Sequence, residues 1–125
     1  MALHDMDEIA GPIQEAARLL VPGGRLCIAV PHPFAEMARR RDDDMSYYTD
    51  HRYVDIVESR GVSMTFESWR RPVSANTQAL EQAGFVIEAM REPLPDETAL
   101  AAAPALAKWS ERPVFLHIRA LSLSG

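Results

Sequence analysis

The chain has 125 residues, a formal net charge of −5, 47% hydrophobic and 25% charged residues, and a single cysteine, Cys27. That length supports one domain with a core of its own, and one cysteine excludes an intramolecular disulfide framework or a multi-cysteine zinc site. The acidic balance argues against a sequence-independent grip on nucleic acid, which depends on lysine and arginine releasing counterions.

The opening MALHDMDE carries no basic stretch followed by an apolar one, and no apolar run is long enough to cross a bilayer. The expectation is a cytoplasmic protein that meets neither membrane nor nucleic acid.

Met1 to Asp5 reads as the tail of a strand. From Glu8 to Leu20, Ile9, Ile13, Ala16, Ala17 and Leu20 recur at helical spacing, with Asp7 and Glu8 at the end where the helix dipole favours acid. Val21-Pro22-Gly23-Gly24 stops that helix. Arg25 to Val30 is almost continuously apolar, which predicts a strand covered on both faces with a buried, inert Cys27. Pro31-His32-Pro33-Phe34 ends it. A helical turn or two follows over Glu36 to Arg41, and Arg39 to Asp44 cancels its own charge as a solvated surface.

Tyr53 to Glu58 and Val62 to Trp69 flank Ser59-Arg60-Gly61 as a hairpin, with Val62, Met64 and Phe66 predicted to share a buried face. Val73 to Ala83 is the next helix, with Ser74 as its N-cap and Gly84 closing it. Phe85 to Met90 is a strand. Thr98 to Trp109 is helical and broken or bent at Pro104, and Val114 to Leu121 is a final strand.

Three blocks carry a resemblance. Leu3-His4-Asp5 with the later Glu15-Ala16-Ala17-Arg18-Leu19-Leu20-Val21-Pro22-Gly23-Gly24-Arg25-Leu26, then Trp69-Arg70-Arg71-Pro72 through Gln82-Ala83-Gly84-Phe85 to Arg91-Glu92-Pro93, then Arg112-Pro113-Val114-Phe115-Leu116 stand in the order of the carboxyl-terminal half of class I S-adenosylmethionine-dependent methyltransferases. The chain resembles that half over nearly its whole length. The resemblance implies an α/β, partial Rossmann-like fold: a mixed sheet of the family's fifth, seventh and sixth strands, the seventh antiparallel in the middle. Helices flank this sheet, and residues 35–70 form a lid-like insertion with a hairpin within the single domain 1–125.

It also implies a small-molecule methyltransferase. The family's glycine-rich cofactor turn is missing: the six glycines lie at positions 11, 23, 24, 61, 84 and 125 and form no G-x-G-x-G. The chain alone is therefore expected to be inactive. Leu3, His4 and Asp5 correspond to cofactor-side positions for S-adenosylmethionine, with His4 also the candidate base for a substrate hydroxyl. His32, Phe34, Tyr53, Trp69 and Arg71 are candidate substrate contacts; Arg70 and Arg71 suit an acidic substrate group, but read first as tethers between the hairpin and the next helix. The four histidines have no close metal-ligand spacing, so no metal is expected, and His117 reads as a half-buried strand residue.

The fifth strand, Arg25 to Val30, becomes a sheet edge without its usual neighbour. An exposed apolar edge invites pairing with a second copy of the chain or with a complementing amino-terminal half. The alternative function is accordingly a noncatalytic binding module that self-associates through this edge.

Overall fold

The computed structural model describes residues 3–34 and 46–123. The helical turn expected over Glu36 to Arg41 and the whole charge block from Arg39 to Asp44 lie outside the described residues.

A short 3-10 turn, Leu3–Asp5, stands where the tail of a strand was expected. Helix α1, Ala10–Leu19, has Ile13 buried on its inner face, and Glu8 accepts a hydrogen bond from the Gly11 amide at 2.5 Å, satisfying one free donor of the first turn. Strand β1, Arg25–Pro31, follows a turn in which Gly23 has φ 82°. Strands β2, His51–Ser59, and β3, Val62–Arg70, pair antiparallel as a separate two-stranded sheet.

Helix α2, Val73–Gln82, begins one residue before the predicted cap. Pro72 is its N-cap, Ser74 lies inside the first turn, and the Val73 amide donates to the Tyr47 hydroxyl at 3.0 Å. The preset φ of proline leads directly into the helix. Strand β4, Phe85–Arg91, leads to α3, Glu97–Ala102, capped by Asp96, whose carboxylate accepts from the Ala99 amide at 2.7 Å. Pro104 starts a separate 3-10 stretch, Pro104–Ser110, so the stretch expected to break or bend at Pro104 breaks there. Strand β5, Phe115–Ser122, is last.

The main sheet has the order β1-β5-β4, with β5 antiparallel to both neighbours. That is the predicted order, with the last strand in the middle. Ile28 and Val30 of β1, Leu116, Ile118 and Ala120 of β5, and Phe85 of β4 form one apolar face, packed with Ile9 and Ile13 at α1 and Ala79 and Leu80 of α2. Leu80 and Ala120 are wholly buried.

The other face is open, contrary to the reading of β1 as covered on both sides. Cys27, His117 and Arg119 are exposed there, so Cys27 is not the buried thiol expected. An apolar run was mistaken for two-sided burial because Cys27 and Ala29 are small apolar residues that lie on a face without a covering helix. The hairpin also departs from expectation. Val62, Met64 and Phe66 do share a face, but all three are exposed, and β3 becomes buried only at Ser68 and Arg70. The arm reaches beyond the body, and only its root is packed.

Candidate functional site

The root of the hairpin, the carboxyl end of β1, the first turn of the chain and α2 converge on one small cavity. Its wall is made by His4, Val30, Pro31, Pro33, Tyr53, Trp69, Arg70, Arg71 and Asn76, around a volume of about 20 Å³. Ligands of open α/β sheets bind outside the carboxyl ends of the strands, and β1 delivers Val30 and Pro31 at such an end.

Two arginines organise the wall. Arg70 is 2% exposed; its guanidinium donates to the backbone carbonyls of Tyr47 and Ser46, both at 3.1 Å, and of Thr49 at 3.4 Å. Arg71, also buried, donates to the carbonyls of Leu3 at 3.0 Å and of Met6, while its Nε lies 3.5 Å from the half-exposed Asp50 carboxylate. Both are tethers, but to the first turn and to the segment before β2, not to the helix that follows them. The planar fork of a guanidinium suits this work, because several carbonyls can be served in one plane.

His4 is the histidine on the wall. Its Nε2 lies 3.2 Å from Asp5 Oδ1, and the same carboxylate oxygen accepts from Ser68 Oγ at 2.7 Å. An acid at Nε2 favours the tautomer protonated there, which leaves Nδ1 as a hydrogen-bond acceptor. Nδ1 is buried and unpartnered among the described residues, and so is Arg70 Nε. A buried acceptor and a buried donor, both unmet, therefore belong to two residues of one cavity wall.

Of the predicted site residues, His4, Tyr53, Trp69 and Arg71 come together here. Trp69 Nε1 donates to Asp7 at 3.0 Å, and the Arg71 guanidinium lies 5.5 Å from its ring centre. Leu3 and Asp5 stand beside the cavity, with the Leu3 carbonyl engaged by Arg71 and Asp5 by Ser68.

His32 and Phe34 are not on the cavity wall. His32 is 2% exposed, with Nε2 at 2.5 Å from Glu92 and Nδ1 accepting from the Phe34 amide at 3.3 Å. Nε2 thus latches the segment after β1 to the segment after β4, while Nδ1 holds the local turn to Phe34. Phe34 is 55% exposed and tilts against His32 and Tyr47.

Asn76 and Pro33 were not among the expected site residues, and Arg70 was weighed for an acidic substrate group but assigned first to tethering. A signal for Arg70 was present: it follows Ser68 by two on a strand, hence on the same face, at the end that enters the body of the protein. Among the described residues, no cluster of three histidine, cysteine or acidic side chains is arranged to hold a metal, and no helix is long and apolar enough to cross a membrane.

Two solved structures share this architecture. An S-adenosylmethionine-dependent methyltransferase from Mesorhizobium loti is 22% identical with a TM-score of 0.68, over 97% of this chain and 58% of its own. A protein described as an S-adenosylmethionine-dependent methyltransferase from Listeria monocytogenes is 23% identical with a TM-score of 0.73, over 98% of this chain and 58% of its own. No family model and no curated protein matches the chain. With β5 set antiparallel between β1 and β4, the chain has the fold of these S-adenosylmethionine-dependent methyltransferases over 58% of their length.

Proposed function

We propose that this chain is the acceptor-side part of a small-molecule methyltransferase acting in the cytoplasm. The observation that carries the reading is the coincidence of the methyltransferase fold with a cavity, walled by His4, Arg70 and Arg71 among others, at the carboxyl end of β1. S-adenosylmethionine, when bound, supplies an electrophilic methyl group on a sulfonium sulfur.

The residues present do not fit that cofactor's whole site. The sequence has no glycine-rich turn, and the Leu3 carbonyl and Asp5 carboxylate are already engaged by Arg71 and Ser68. What this chain offers is the other wall. His4, oriented by Asp5, accepts a proton from an acceptor group at Nδ1, and the hairpin root, through Tyr53 and Trp69, screens that group from water as the base of a lid.

The test is S-adenosylmethionine titration by calorimetry, first of this chain and then of the longest polypeptide encoded in frame with it or of the chain mixed with a separately encoded amino-terminal part. No binding by the isolated chain and micromolar binding by the longer or mixed form are expected. Absence of binding in every form overturns the reading, and tight binding by the isolated chain overturns the assignment of the cradle to other residues.

A second reading is favoured by the edge of β1, which among the described residues pairs with β5 alone. In that reading the chain is a noncatalytic module that self-associates through this edge.

A further inference from the structure

We propose that the open face of the main sheet carries a binding site of its own, for a planar ring that bears a phosphate monoester. The site is separate from the cavity at the carboxyl end of β1, and the inference goes beyond the methyltransferase reading.

Small residues make the room. Cys27 and Ala29 of β1, His117 and Arg119 of β5, and Ala89 and Arg91 of β4 border a groove of about 300 Å³ on this face. That is the lower end of the roughly 300–1,000 Å³ usual for small-molecule clefts. The register sets these residues in two rows across the three strands, Ala29, His117 and Arg91 in one and Cys27, Arg119 and Ala89 in the next. Each row thus places a long polar side chain of the central strand beside side chains too short to fill the space next to it.

Charge selects the ligand. Arg25, Arg91 and Arg119 share the face with one carboxylate, Glu88, which serves Arg25 and Arg119 together. Among the described residues Arg91 donates only to the Met90 carbonyl at 3.4 Å, and the neighbouring acid, Glu92, is bonded to His32. Three cations against one anion leave two positive charges, on a chain whose formal net charge is −5. Arg119 meets Glu88 through Nε, so terminal N–H groups of both Arg91 and Arg119 lack an acceptor among the described residues. A phosphate monoester brings about two negative charges and three acceptor oxygens, which a pair of guanidiniums matches in charge and in shape. A carboxylate would balance one cation and leave the other.

The ring follows from the central strand. Phe115 and His117 lie two apart on β5, hence on one face, with their rings 22° from parallel and their centres 6.4 Å apart. His117 is exposed, with Ala29 on one side of it and Arg91 on the other. A planar ring laid against His117 gains ring contact and a guanidinium nearby. It also takes water from one side of ion pairs that solvent would otherwise weaken.

The experiment titrates phenyl phosphate, inorganic phosphate and benzyl alcohol separately into the full chain and follows backbone amides by NMR. Phenyl phosphate should bind about ten-fold or more tightly than either fragment, moving the amides of Cys27, Ala29, Ala89, His117 and Arg119. Arg91→Gln should lower that affinity about three-fold or more. His117→Ser should bring it to within about two-fold of inorganic phosphate. Both side chains are exposed, so the variants should keep the wild-type spectrum away from the groove. Arg18→Gln removes the same charge from an exposed position on α1 and should change nothing.

Equal binding of phenyl phosphate and inorganic phosphate would mean an adventitious ion only, and overturns the proposal. So does an Arg18→Gln loss as large as that of Arg91→Gln, or a set of shifted amides confined to the cavity walled by His4 and Arg71. None of the probes needs S-adenosylmethionine, so the outcome leaves the methyltransferase reading to its own test.

Discussion

Glu88 shows how one residue outside the core is governed by local geometry. The β4–β5 register shifts between Ile87 and Ala89, so Glu88 is the extra residue of a bulge, aimed at the open face of the sheet. There its carboxylate accepts from Arg25 Nε and Nη2 at 2.8 and 2.9 Å, and from Arg119 Nε at 2.7 Å. The Arg25 hydrogen bond, with Arg119 adding to it, holds the Glu88 carboxyl down to about 2. A carboxyl depressed in the folded state stabilises fully above its ordinary range and loses that contribution as pH falls through the folded value. The urea midpoint of the wild type should therefore exceed that of Glu88→Gln near neutrality, with the gap closing as pH falls from 4.5 toward 2. Added salt should narrow the gap at neutral pH, because the group is solvent-facing and screened. A gap that is flat with pH would detach Glu88 from both arginines.

Among the elements, the β2–β3 hairpin has the clearest local strain. Ser59 pairs with Val62 across a two-residue turn in which Arg60 has φ 51° and Gly61 φ 75°. Both central residues are left-handed, as the tight turn matching strand twist requires, but arginine has a Cβ that resists this region. Arg60→Asn, which tolerates that backbone, should stabilise the protein by about 0.5–1 kcal/mol, raising the midpoint of thermal unfolding. An unchanged or lower midpoint would mean that the turn is not the strained form. The turn was legible from Ser59-Arg60-Gly61, as were α1, α2 and all five strands, because spacing and punctuation are local signals. Burial was not. The alternation of Val62, Met64 and Phe66 is the pattern of a half-covered strand, and Arg25 to Val30 that of a fully covered one. Whether anything lies against those faces depends on elements far away in the chain. The site was half legible for the same reason: the Leu3-His4-Asp5 and Trp69-Arg70-Arg71 motifs announced themselves, whereas Asn76 and Pro33 reach the cavity only through tertiary packing.

At the scale of the whole molecule the accessible surface is 8286 Å². Scaling for a closed domain of this mass gives roughly 6,700 Å². An open sheet face and an exposed hairpin are part of that surface, and the sheet's edge bears on self-association. The His32 amide donates to Val114 at 2.9 Å and Ser122 to Gly24 at 2.8 Å. Carried along the β1–β5 register, these bonds turn the backbone groups of even-numbered β1 residues toward β5 and those of Arg25, Cys27, Ala29 and Pro31 toward the free edge. Pro31, which lacks an amide hydrogen, already stands at an outward position, where a strand tolerates proline. Ala29→Pro should therefore remove an edge donor without removing a bond to β5. If the edge is the contact, sedimentation at about 100 µM should show the wild type as a dimer and Ala29→Pro as a monomer with its secondary structure retained; this concentration is an order of magnitude at which weak edge pairing becomes visible. A wild type that stays monomeric would show that the edge does not pair with itself. A dimer that persists in Ala29→Pro would move the contact to another surface, with the exposed Val57, Met64 and Phe66 of the hairpin the next to substitute. Adding an amino-terminal part that pairs with β1 should dissolve an edge dimer, since one row of backbone groups cannot serve two partners. Competition between the two would establish that the same strand edge serves both self-association and pairing with an amino-terminal part.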